Sequence, residues 1–187
     1  MAVKTFALGL AIAALAAPAA AQDKSADDIA SKIINQPAPG AFAVYNAPRP
    51  AKLYKDKAVQ GGEALRVAIP AASDQPWSIS LADPISKPVK KGDRLALALY
   101  AKVEPGEAKT TGAHIANASV QLAKAPYTGV FGAPLDIGTE WKLYTVATGA
   151  ADRDYAAGEL TVSLQLATAK QVLDIGPIFV LDLGPGQ

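Results

Sequence analysis

Asn117-Ala118-Ser119-Val120-Gln121-Leu122-Ala123 and Thr161-Val162-Ser163-Leu164-Gln165-Leu166-Ala167 are the two stretches that decide the fold. In the first, Ala118, Val120 and Leu122 alternate with Asn117, Ser119 and Gln121. In the second, Val162, Leu164 and Leu166 alternate with Thr161, Ser163 and Gln165. Strand side chains point to opposite faces with a period of two, so each stretch predicts a strand with one core face and one other face. That other face carries mostly short hydroxyls and amides, where a plain solvated face more often carries Lys and Glu. Neutral donors and acceptors on a rigid sheet suit a neutral polyhydroxyl ligand. The same pattern also suits an ordinary antiparallel sheet with one wet side.

The alternation extends outward along the chain. Glu63–Ile69, Trp77–Leu81, Arg94–Lys102 and Trp141–Ala147 read as strands, and Phe42–Tyr45, Gln171–Ile175 and Ile178–Leu183 as shorter ones. Gly and Pro punctuate them, and residues 126–136, rich in Gly, Pro and aromatics, read as a loop. The predicted fold is all-β, an antiparallel sandwich or jelly roll with a short N-terminal helix at most. Its core is expected to include Leu65, Val67, Trp77, Leu97, Leu99, Val120, Leu122, Trp141, Val162, Leu164 and Phe179.

The N-terminus reads differently. Lys4 precedes an apolar run from Phe6 to Ala17, and Ala19-Ala20-Ala21 ends it. That is the pattern of a secretory signal peptide over residues 1–21, and it predicts a periplasmic or secreted protein. The run is too short to span a bilayer, and no later stretch reaches spanning length. Asp23 to Asn35 has helical spacing, with Ser25 as a cap and Ile29, Ile33 and Ile34 on one face, before Pro37, Pro39 and Gly40 stop it. Residues 22–40 therefore read as a short helical or flexible leader, and residues 41–187 as the β domain. With 0 Cys, an exported chain must be held by packing or by a metal ion. A net charge of +1 without charged blocks argues against nucleic acid or an anionic membrane surface as partner.

Signals for catalysis are missing. There is no G-x-S-x-G elbow, no Gly-rich phosphate loop and no Cys/His cluster. His114 is the single histidine, and nothing singles out a pair of carboxylates. The sequence predicts a protein that is not an enzyme.

Several motifs occur together in one order. They are Gly62-Glu63-Ala64-Leu65-Arg66-Val67, then Pro76-Trp77-Ser78-Ile79-Ser80-Leu81, then Val89-Lys90-Lys91-Gly92-Asp93-Arg94-Leu95 with Tyr100-Ala101-Lys102. Val120-Gln121-Leu122, Pro126-Tyr127-Thr128, Thr139-Glu140-Trp141-Lys142-Leu143-Tyr144-Thr145-Val146 and Ile178-Phe179-Val180-Leu181-Asp182-Leu183 follow. In this order the chain resembles the β-jelly-roll carbohydrate-binding modules of bacterial xylanases and glucanases, within the galactose-binding-like superfamily. The resemblance implies noncatalytic binding of a poly- or oligosaccharide. Such modules accompany catalytic domains, which implies a glycoside hydrolase or an envelope protein as partner. It also implies a structural calcium, to which Glu63 and Asp182 would give part of the oxygen set. An envelope structural or protein-interaction module without glycan binding is the alternative, since fold alone does not fix function.

The ligand face is expected to combine Arg66, Tyr100, Lys102, Gln121 and Gln165, with Tyr127 at its edge. Each of the five alternates against core residues in its own strand, so one face is geometrically open to them if their strands are neighbours. Amides donate and accept, as sugar hydroxyls do, and an aromatic ring stacks on the C–H face of a pyranose.

Overall fold

The computed structural model describes residues 28–105 and 113–186. The alternating stretches pair into two five-stranded antiparallel sheets. The strands are β1 (Ala43–Tyr45), β2 (Lys52–Lys55), β3 (Glu63–Ile69), β4 (Ser80–Pro84), β5 (Asp93–Val103), β6 (Ala113–Leu122), β7 (Gly129–Ile137), β8 (Lys142–Ala150), β9 (Leu160–Gln165) and β10 (Gln171–Pro185). The front sheet runs β1-β4-β9-β6-β7 and the back sheet β2-β3-β10-β5-β8. Among the described residues no helix is long and apolar enough to cross a membrane.

The core is the layer between the sheets. Leu65, Val67, Leu97, Leu99, Val120, Val162 and Leu164 are buried in it, joined by Leu81, Ile115, Leu173, Ile175, Ile178 and Val180. Leu122 packs against its margin. At one side β7 meets β8: a Cβ on Gly149 would lie 2.5 Å from the Phe131 Cβ, so the missing side chain makes room for that ring.

Three of the expected core residues stand elsewhere. Trp77 lies in a 3-10 turn, Pro76–Ser78, and the strand begins only at Ser80. Its side chain is 56% exposed. Trp141 lies on the outer face of the back sheet, where its Nε1–H donates to Asp56 Oδ2 at 2.8 Å. In β8 the core side is taken by Tyr144 and Val146, the reverse of the expected phase. Phe179 is half-buried, out of phase with the core residues Ile178 and Val180. The reason is a register shift between Ile175 and Ile178, which turns the two expected C-terminal strands into one 15-residue strand and resets its phase.

Two further strands come from segments with weak β signals. Residues 129–137 form edge strand β7, where Pro134 and two glycines are tolerated because one side of the strand has no neighbour to bond. Lys52–Lys55 forms the opposite edge of the back sheet, and its two lysines discourage further pairing.

The leader divides at residue 32. Residues 28–32 are helical, but the helix stops there rather than at Asn35. From Lys32 the chain belongs to the compact sandwich unit. Ile33 bridges Leu181 of the back sheet and Asn35 bridges Ile85 beyond β4 of the front sheet. Past the helix, the Asn35 side chain finds its partners across the sheets. It donates to Asp83 Oδ2 at 2.5 Å and to the Ile178 carbonyl at 2.8 Å, and accepts from the Val180 N–H at 2.8 Å. The expected signal peptide lies outside the described residues.

Candidate ligand groove

The two stretches read first from the sequence are neighbours. β6 and β9 pair with Asn117 opposite Gln165, Ser119 opposite Ser163 and Gln121 opposite Thr161. Following the register across the front sheet arranges the outward residues in three rows. One row is Tyr45, Ser80, Gln165 and Asn117. The middle row is Ala43, Ala82, Ser163, Ser119 and Gly132. The third is Pro84, Thr161, Gln121 and Gly129.

The middle row contains nothing larger than Ser, while its neighbours carry Tyr, Gln, Asn, Thr and Pro. The result is a groove that crosses the strands. Ser119, at 2% exposure, is nearly closed off by the longer side chains beside it although it points away from the core. Its hydroxyl donates weakly to Gln121 Oε1 at 3.4 Å. At ~3.3 Å per residue, the two flanking rows stand roughly 13 Å apart along the strands, and five strands at ~4.8 Å spacing give a floor about 19 Å long. None of the row residues is charged. The groove therefore offers a long neutral channel of amides and hydroxyls.

Gly132 must lack a side chain, since a Cβ there would meet the Ser119 Cβ at 2.5 Å and Asn117 Oδ1 at 2.9 Å. Exposed aromatic rings stand at the strand ends. Tyr45 is 53% exposed at the end of β1, and Tyr127 is 58% exposed in the turn between β6 and β7. Tyr127 has φ of +56°, unusual for a residue with a side chain. Such a conformation costs about 1–2 kcal/mol and gathers at functional loops. Its N–H donates to the Lys124 carbonyl at 3.0 Å, which holds the turn closed.

The back sheet's outer face is built from charges instead. Arg66 and Lys102 flank Asp174 of β10 in register. Arg66 Nε and Nη2 donate to the two Asp174 oxygens at 2.7 and 2.8 Å, and Nη2 reaches Glu104 at 2.6 Å. Lys102 Nζ lies 2.9 Å from Glu104 and 3.6 Å from Asp174. Asp174 is fully buried beneath them. Burial alone would raise its pKa, but the Arg66 hydrogen bonds and the Arg66 charge hold it below the usual carboxylate range. Tyr54, below the Arg66 guanidinium at 5.1 Å, has its ionisation pushed up by burial first and by Asp174 second. Lys102 lies 5.4 Å from the Trp141 ring centre. Tyr100 packs over Gly176, where a Cβ would meet the Tyr100 Cβ at 2.9 Å. The charges of this face are paired with one another, while the buried Tyr54 hydroxyl has no hydrogen-bond partner.

The expectation of one shared face thus divides. Arg66, Tyr100 and Lys102 lie on the back sheet, while Gln121 and Gln165 lie on the front sheet with Tyr127 beyond β6, because β3 and β5 never neighbour β6 and β9. Tyr45 and Asn117 complete the front face. The sequence reads Tyr45 as a strand residue, and only the pairing of β1 with β4 brings it to the groove. Glu63 and Asp182 do not meet as a calcium site either. Glu63 pairs with Lys55 at one end of β3, and Asp182 Oδ1 accepts the Gly184 N–H at 2.8 Å. Among the described residues no three His, Cys, Asp or Glu side chains come together. His114 pairs with Asp136 at 2.7 Å on the surface, and its backbone carbonyl accepts from Gln171 and Thr168.

No family model matches the chain, and no curated protein matches it. Solved structures do. A CBM4 carbohydrate-binding module is 20% identical with a TM-score of 0.54, over 77% of this chain and 92% of that one. The N-terminal cellulose-binding domain of Cellulomonas fimi β-1,4-glucanase C is 21% identical with a TM-score of 0.55, over 78% of this chain and 91% of that one. The CBM22-1–GH10 modules of Clostridium thermocellum endo-1,4-β-D-xylanase 10B, solved with xylohexaose, are 12% identical with a TM-score of 0.58, over 81% of this chain and 28% of that one. At these identities the likeness is one of fold: the chain has the β-sandwich of carbohydrate-binding modules.

Proposed function

We propose that the protein binds a neutral polysaccharide without cleaving it, in the groove that crosses the front sheet. The observation that carries this reading is the middle row of Ala43, Ala82, Ser163, Ser119 and Gly132, set between rows of amides and hydroxyls with no charge among them. A chain of pyranose rings is long, flat and uncharged. Gln165, Asn117 and Gln121 supply donors and acceptors together for its hydroxyls. Tyr45 and Tyr127 supply exposed rings for its C–H faces. No carboxylate stands in the three rows, which supports a binding reading over a hydrolytic one. The resemblance to modules that work beside hydrolases supports the same reading, and the signal-peptide pattern is consistent with a periplasmic or secreted module.

A glycan array with the exported chain, followed by calorimetry on the best glycan, tests this. Gln165→Ala and Tyr45→Ala are expected to weaken binding about three- to tenfold each, since one exposed hydrogen bond or stacked ring nets about 0.5–1.5 kcal/mol. Tyr100→Ala, on the other sheet, is expected to leave it unchanged. Parent-like binding by both front-face variants would move the site elsewhere. A parent that binds no glycan would leave the envelope-interaction reading in its place.

A further inference from the structure

Trp77 is an exposed aromatic residue near the groove that neither the three rows nor the groove reading uses. The turn that carries it is fixed to β9 immediately past Gln165. The carbonyls of Pro76 and Ile79, on either side of it, accept from the Ala167 N–H at 3.0 Å and the Leu166 N–H at 2.9 Å. The Ser78 N–H closes the turn on the Gln75 carbonyl at 2.8 Å. Trp77 is three residues from Ser80, hence no more than ~10 Å away along the chain. Its ring is 56% exposed although the backbone beneath is pinned on both sides. An exposed indole on a rigid support is a large contact surface already ordered before any ligand arrives.

The row beside Trp77 has a gap. Between Tyr45 and Gln165 it carries only Ser80. A backbone sugar in the groove is confined by Tyr45 and Gln165, but a substituent on it has a path over Ser80 toward the turn. Gln165 and Tyr45 are on either side of that path, and Trp77 is beyond it. At the opposite row the exposed ring is Tyr127, in the turn after β6.

We propose that Trp77 is a stacking platform for a side-branch sugar, which makes the ligand a branched polysaccharide rather than a plain linear one. The inference rests on the groove reading of the preceding section and specifies the ligand of that groove. A branch sugar that stacks on the indole adds apolar contact without changing the backbone's contacts. Trp77 therefore acts on the preference between branched and linear chains, not on binding as a whole.

The test is calorimetry of the parent, Trp77→Ala and Trp77→Phe with paired oligosaccharides of equal backbone length. The pairs are a linear 1,4-β-glucan against a xyloglucan fragment, and a linear 1,4-β-xylan against an arabinoxylan fragment. For at least one pair the parent is expected to bind the branched member more tightly, by about three- to tenfold, the range of one aromatic stack. Trp77→Ala is expected to lose that advantage and keep its affinity for the linear member within about twofold, while Trp77→Phe retains most of the advantage. An unchanged thermal midpoint shows that the variants fold. Equal losses on both members, no loss on either, or a parent that accepts only linear chains overturns the inference and leaves the groove reading standing. A parent that binds none of the four overturns the inference, and the groove reading falls with it only if the parent binds no glycan on the array.

Discussion

Asp83 lies on β4 facing the core, fully shut off from water. One oxygen accepts from Asn35 at 2.5 Å, and the Gln36 backbone N–H adds a second donor. Its Oδ1 has no hydrogen-bond partner. Burial is the largest influence and raises the pKa from 3.8 to about 6, against the lowering effect of the two donors. At 1.36 kcal/mol per unit, that shift corresponds to roughly 3 kcal/mol. The sign follows from proton binding. Between about pH 4 and pH 6 the folded chain holds a proton that the unfolded chain has released. The stability from this group is full below the unfolded value and is lost as pH rises through 6. Asp83→Asn removes the titration and keeps an oxygen for Asn35. At pH 7.5 the variant is expected to be more stable than the parent by about 1–3 kcal/mol, the lower figure allowing for an amide N–H placed where Oδ1 has no partner. At pH 4.5 the parent regains about 2 kcal/mol of this. Urea unfolding followed by circular dichroism at both pH values measures it, with equal m-values as the check that the unfolded states match. The back-sheet network around Asp174 is common to parent and variant, so it cancels in the comparison. Parallel stability profiles for parent and variant would refute the reasoning.

Arg66→Ala leaves the buried Asp174 carboxylate with Lys102 alone, and is expected to lower stability by about 2–3 kcal/mol by denaturant titration. That figure is reduced from the fully buried case because the Arg66 side chain is 37% exposed. Glycan affinity should not change, since Arg66 lies on the other sheet. Gly176→Ala would place a Cβ 2.6 Å from Val59 Cγ2, and should cost about 1–3 kcal/mol of stability and lower the thermal midpoint. Asn35→Ala strands the Val180 N–H and removes the donor to Asp83. An expected loss of about 1–3 kcal/mol would be visible in a urea titration, and a chain started at Ala41 should lose at least as much.

The two stretches around Ser119 and Ser163 were readable because nothing interrupts their alternation, and they do pair on one face. The same rule misplaced Phe179 and Trp141. A phase read along one strand holds only until a register shift, and β10 has one at Gly176-Pro177 that reverses it. Trp77 looked like a strand residue because Ile79 and Leu81 follow it in step, yet Pro76 starts a 3-10 turn there. The face shared by Gln121 and Gln165 could be seen in the sequence. Its separation from Arg66, Tyr100 and Lys102 could not, because sheet membership is decided by strand order, which leaves no mark in local spacing. Tyr45 and the floor of small residues likewise become a site only once the neighbours of each strand are known.

β10, the final strand described, is laid between β3 and β5, and Ile34 of the leader takes over its β3-side edge by donating its N–H to the Val180 carbonyl at 2.9 Å. Asn35 and Val180 are 145 positions apart. The back sheet therefore stays in two separate halves until residues 171–185 have been made, and the long loop between its first and last partners must close before the core is sealed. A chain cut short before Gln171 would expose Leu65, Val67, Leu97 and Leu99 without their partner strand. Closure of the sandwich therefore waits for residues 171–185 rather than proceeding strand by strand from the first hairpin.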